Sequence, residues 1–131
     1  MNKCINSKII TVLLIFTSCF FITVSKAQNK LPNYTPQNGD IIFHESYSDQ
    51  SPFIKIATKS KYTHCGIIYV EDGKAYVLEA EGRVISTPLI SWELRGKNHK
   101  YVIKRLSNAA QIITPAAVEK MKAIGKTFLG K

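Results

Sequence analysis

Few side chains in this sequence could carry out chemistry. There are three histidines, His44, His64 and His99, and three cysteines, Cys4, Cys19 and Cys65. His64 stands out through its predicted neighbours. Two runs rich in Ile, Val and Tyr, 62–70 and 75–80, flank Glu71-Asp72-Gly73-Lys74. An Asp-Gly centre favours a type I′ hairpin turn, because both residues tolerate positive φ. Such a turn sets Glu71 opposite Lys74, so His64 faces Glu81 and has Glu79 as its diagonal neighbour. All three side chains then share one sheet face, because strand side chains alternate. A carboxylate beside an imidazole fixes its tautomer and stabilises the imidazolium, as a general base requires. A slip of one residue would destroy the arrangement.

The same alternation separates His64 from Cys65, whose side chain must point to the opposite face. Cys65 faces Ala80 in this register and is read as a small hydrophobe packed in the sheet. His44, near a strand end, and His99, in a loop, are read as solvated. The bland alternative for His64 and Glu79 is a satisfied histidine on a sheet. There is no Gly-x-Ser-x-Gly, Gly-rich phosphate loop, Cys-x-x-Cys or His-x-x-x-His, so no metal or cofactor is expected.

The elements that position these residues define an α+β class, with a small antiparallel sheet and flanking helices. Ile41-Ile42-Phe43 forms a short strand. A helix over 51–59 takes Ser51 as N-cap and Pro52 in its first turn, with Phe53, Ile56 and Ala57 on one face. Residues 84–87 add an edge strand stopped by Pro88. A helical turn over 88–94 carries Trp92, and 101–106 alternates as another strand. Thr114 caps a last helix that starts at Pro115, with Val118, Met121, Ile124, Phe128 and Leu129 inward and Gly130 as the stop.

The 131 residues carry 18 basic and 9 acidic side chains. Residues 1–27 read as a secretory signal peptide: Lys3 and Lys8 precede the apolar run 9–24, and Ser25-Lys26-Ala27 resembles a peptidase site. An uncleaved anchor and lipidation at Cys19 are the alternatives. The expected destination is the periplasm or cell envelope, or the outside, with no membrane span after cleavage. Residues 28–38, with Pro32 and Pro36, read as a linker, and 39–131 as the domain. Subtracting the three signal lysines leaves 15 basic against 9 acidic residues, net +6, spread along the chain. That pattern argues against a nucleic-acid partner and fits attraction to anionic envelope polymers.

Five stretches resemble the YiiX-like cysteine hydrolases, circularly permuted papain-like amidases of the NlpC superfamily. They are Gly39-Asp40-Ile41-Ile42-Phe43, then 57–66 with Thr63-His64-Cys65-Gly66, then Tyr76-Val77-Leu78-Glu79-Ala80, Thr87-Pro88-Leu89, and 100–106. The resemblance implies His64 as general base and Glu79, rather than Glu81, as the acid that orients it. It implies an amidase or peptidase acting on amide or ester bonds, with cell-wall peptides or acylated lipids as substrates. It also places the nucleophilic cysteine later than the Leu129-Gly130-Lys131 that ends this sequence. Cys65 matches the variable position between His and Gly instead. The expectation is thus an incomplete copy, inactive by itself, whether a fragment, a premature stop or a decayed gene. The competing class is a non-catalytic envelope-binding module built on the same fold; a basic structural or interaction protein is the third. Scant cover for Ile41, Phe43, Ile67, Tyr69, Val77 and Ile103 predicts an exposed apolar patch beside His64 and marginal stability.

Overall fold

The computed structural model describes residues 34–131. The readings of 1–27 as a signal and of 28–33 as linker lie outside the described residues. The strands are β1 (Ile41–His44), β2 (His64–Glu71), β3 (Lys74–Glu81), β4 (Arg83–Pro88) and β5 (Tyr101–Lys104). The helices are α1 (Ser51–Thr58), α2 (Leu89–Glu93), α3 (Ala109–Ile112) and α4 (Pro115–Phe128), and a 3-10 turn spans Lys97–His99. The five strands form one antiparallel sheet in the order β4-β3-β2-β1-β5.

Turn chemistry sets the register. Asp72 and Gly73 have φ of +50° and +72°, as a type I′ turn demands, and Glu71 pairs with Lys74. The ladder runs back through Ile68↔Val77 to Ile67↔Leu78. Gly82, at φ +70°, then turns the chain so tightly that Glu81 pairs with Arg83. On one sheet face Ile42, Ile68 and Val77 are fully buried with Trp92, which α2 lays across them. The N-terminal approach is fastened to the sheet. Gln37 N–H donates to Asp40 Oδ2 at 2.8 Å, and Val70 N–H donates to Asn38 Oδ1 at 2.7 Å.

The other sheet face is covered by α4, which begins as expected: Thr114 Oγ1 accepts from Ala117 N–H at 3.2 Å, ahead of Pro115. Its contact with the sheet comes through a glycine. A Cβ on Gly125 would stand 2.8 Å from Leu78 Cδ2, so the missing side chain lets the helix approach. Val118 and Met121 are half-buried, but Ile124, Phe128 and Leu129 are exposed, contrary to the inward stripe expected.

The expectation for α1 needs a larger correction. Gln50, not Ser51, is the N-cap, and Ser51 is the first helical residue. The Ser51 hydroxyl donates to the Ser46 carbonyl at 2.8 Å and lies 3.0 Å from Thr63 Oγ1. The helix is thus anchored by its polar end. Phe53 and Ile56, the apolar pair of the predicted face, are 73% and 77% exposed. The expected group of uncovered sheet residues is also corrected. Val77 and Ile103 sit on the Trp92 face, Val77 being fully buried, whereas Ile41, Phe43, Ile67 and Tyr69 alternate to the α4 face. β5 ends at Lys104, two residues early, and α3 is an element the apolar pattern did not reveal.

Candidate active site

His64 opens β2 on the Trp92 face, and Glu79 lies on that face of β3. The two meet: His64 Nε2 is 2.7 Å from Glu79 Oε2. Gly66 explains why the diagonal acid is chosen. A Cβ there would stand 2.2 Å from Val77 Cγ1, 2.9 Å from the Leu78 carbonyl oxygen and 3.4 Å from Glu79 Cβ. The bare glycine lets β3 close in beside the imidazole. Glu81, which the hairpin arithmetic sets opposite His64, is held by Arg95 instead and is largely exposed.

Glu79 is buried and accepts from four donors. Oε2 takes His64 Nε2–H and Trp92 Nε1–H, the latter at 2.8 Å. Oε1 takes the Thr87 hydroxyl at 2.5 Å and an Arg95 Nη2–H. Burial pushes the carboxyl upward, but hydrogen bonds from His64, Thr87 and Arg95, with the charge of Arg95, outweigh it and hold Glu79 at about 2. At neutral pH Glu79 is therefore an anion that only accepts. The proton of His64 sits on Nε2, which leaves Nδ1 as the basic nitrogen. The His64 side chain is 20% exposed, so the ring is not sealed from solvent.

Three members of this site escape a reading of types and spacings. Thr87 comes from β4, directly across from Val77; Trp92 from α2; Arg95 from the turn after it. Their convergence on one carboxylate is a tertiary event. The only earlier signals were the Thr87-Pro88-Leu89 stretch and the single tryptophan.

The structure overturns the reading of His44 as solvated. It is 3% exposed, and its ring stacks on Trp92 at 4.0 Å and 19°. It is the cross-strand partner of His64, with ring centroids 5.3 Å apart. Burial, followed by the neighbouring His64 and Arg95 charges, lowers its pKa to about 4 against the opposing pull of Glu79. His44 is therefore a neutral imidazole at physiological pH. His99 is exposed, as expected, with Nδ1 2.8 Å from the Leu94 carbonyl oxygen.

Cys65 points away from His64, as alternation requires, but it is exposed rather than packed. It lines a shallow apolar groove with Ile41, Ile67, Leu78, Val84 and Phe128. The cover from α4 centres on Gly125 and Leu78 and leaves this part of the sheet open. Among the described residues, no group of three or more His, Cys, Asp or Glu could hold a metal ion. No helix among them is long and apolar enough to cross a membrane.

The family described as permuted papain-like amidase enzyme, YaeF/YiiX, C92 family, matches residues 35–131. The chain belongs to this family. It is 39% identical over 98 residues to the uncharacterized protein YiiX of Escherichia coli K12, covering 75% of this chain and 47% of that protein. A crystal structure described as that of metalloprotein YiiX from Escherichia coli O157:H7 matches with a TM-score of 0.69 and 40% identity. That match covers 75% of this chain and 53% of the other. The chain thus spans about half the length of these permuted papain-like relatives. The resemblance drawn from the five short stretches, and the α+β class with its small antiparallel sheet, hold.

Proposed function

We propose that this chain carries the base half of a thiol amidase site, with His64 as general base and Glu79 as the residue that orients it. One observation carries the reading: the 2.7 Å bond from His64 Nε2 to a buried, fully ionised Glu79. Held this way, Nδ1 takes the proton of a cysteine thiol. The thiolate attacks an amide or ester carbonyl, and the tetrahedral adduct collapses to a thioester as the amine or alcohol leaves with the proton from Nδ1. Water, deprotonated by the same nitrogen, then releases the acid and restores the thiol. Glu79 stays ionised throughout and stabilises the imidazolium.

The thiol comes from outside residues 34–131, because Cys65 occupies the opposite sheet face. With Cys4 and Cys19 assigned to the export signal, the 131-residue polypeptide alone is proposed to be inactive. Its substrates are proposed to be cell-wall peptides or acylated lipids, met after export. Support for export is Lys3 and Lys8 ahead of the apolar run 9–24. The metal named in the description of the Escherichia coli O157:H7 protein finds no matching donor set among the described residues. The second reading, a non-catalytic envelope-binding module, draws on the absence of a cysteine on the His64 face among those residues.

A chimera decides between them, with residues 35–131 replacing the matched part of the Escherichia coli YiiX protein. Hydrolysis of N-acyl or O-acyl test substrates, abolished by His64→Ala, supports the amidase. Binding to cell-wall polymer with no hydrolysis supports the module. Turnover by the 131-residue polypeptide itself, lost on Cys65→Ser, would refute the assignment of the nucleophile.

A further inference from the structure

The site contains a second imidazole that the proposed chemistry does not use. His44 is buried, lies flat on Trp92, and has His64 as its cross-strand neighbour. Trp92 stacks with both imidazoles, 19° from His44 and 23° from His64, while the two imidazoles are tilted 31° from each other. The slot is made to measure on the remaining side. A Cβ on Gly96 would meet His44 Cβ at 2.9 Å, His44 Cγ at 3.2 Å and the Lys100 carbonyl oxygen at 2.8 Å. The backbone at Gly96 thus presses directly on the imidazole.

We propose that His44 is a positioning residue: a flat, neutral ring packed between the Gly96 turn, Trp92 and His64 that holds the His64 imidazole where Nε2 reaches Glu79. Two routes connect them. The His44 ring flanks His64 directly, and it supports Trp92, whose Nε1–H shares Oε2 of Glu79 with His64. A hydrogen bond to a carboxylate weakens steeply with angle, so a tilt of the unsupported ring would loosen the pair. The groups facing His44 are His64 from β2, Glu79 from β3, Tyr101 from β5, and Trp92 and Arg95 from α2 and the turn beyond it. Arg95 and a charged His64 are both cationic, so neutrality of His44 matters to its neighbour. His44 Nδ1 has no hydrogen-bond partner among the described residues, so flatness and size, not a directed bond from that atom, are the properties the site uses.

This inference rests on the proposed role of His64, and its test reads the 131-residue chain directly, without turnover. Imidazole nitrogen NMR on wild type reports the His64 tautomer and the exchange rate of its Nε2 proton. Folding of each variant is checked from its amide spectrum. His44→Phe keeps a flat neutral ring and is expected to retain the Nε2–H tautomer and wild-type exchange. His44→Leu fills similar volume without a plane and is expected to mix tautomers, with exchange about tenfold faster, the effect of losing one ordinary hydrogen bond. If Phe does not fold, the planar His44→Gln takes its place. Leu behaving as wild type, or the flat variant behaving as Leu, overturns the inference. A wild-type His64 protonated on Nδ1 instead would overturn the base assignment itself, which is a separate result.

Discussion

Replacing Glu79 with Gln removes the charge at the centre of the site while keeping its shape. No orientation of the amide satisfies the surrounding donors. With the NH2 in place of Oε2 it confronts Trp92 Nε1–H, and in place of Oε1 it confronts Arg95 Nη2–H; both partners only donate. The charge-linked part can be worked out. A carboxyl held at about 2, against an ordinary 4.5, contributes about 3 kcal/mol at neutral pH. Because the folded pKa is the lower one, that stability is present above pH 4.5 and is lost as pH falls through 2. About 2 kcal/mol of it is gone by pH 3. We therefore expect Glu79→Gln to cost about 3–5 kcal/mol at pH 7, in line with breaking a buried charged network. Urea unfolding of both proteins at pH 7 and pH 3 measures this, with protonation of groups remote from Glu79 cancelling in the difference. A gap below about 1 kcal/mol at pH 7, or one that does not narrow at pH 3, would refute the assignment of Glu79 as a buried, stabilised anion.

Three further outcomes are expected. His44 is held neutral with its pKa at about 4, so folding is penalised as pH drops from 6.5 to 4, by about 3 kcal/mol in all; His44→Phe should remove that share of the acid lability in pH-dependent melting. Gly66→Ala drives a Cβ into Val77 Cγ1 and the Leu78 carbonyl and should destabilise by about 3 kcal/mol in chemical denaturation. Phe53→Ser with Ile56→Ser, both on the exposed face of α1, should shift stability by no more than about 0.5 kcal/mol each while reducing aggregation measured by light scattering.

The sequence alone determined the hairpin. Asp72-Gly73 accepts positive φ at both positions, and strand alternation does the rest, so the shared face of His64 and Glu79 and the opposite face of Cys65 were legible from neighbours a few residues apart. The Thr114-Pro115 start of α4 was legible for the same reason: caps and turns are local chemistry. What packs across an element is not local. Arg95, Thr87 and Trp92 reach Glu79 from three separate segments, and no spacing among them records that meeting. His44 lay at a strand end, where solvent is the ordinary neighbour, until the Trp92 helix and the Gly96 turn folded over it. The apolar stripe of α1 correctly marked a helix but not a buried one, because amphipathicity says which face seeks cover and only the tertiary structure decides whether cover arrives. The selection of Glu79 over Glu81 shows the division most clearly. The strand period put both acids beside His64, but the close approach at Gly66 and the capture of Glu81 by Arg95 made one of them the partner.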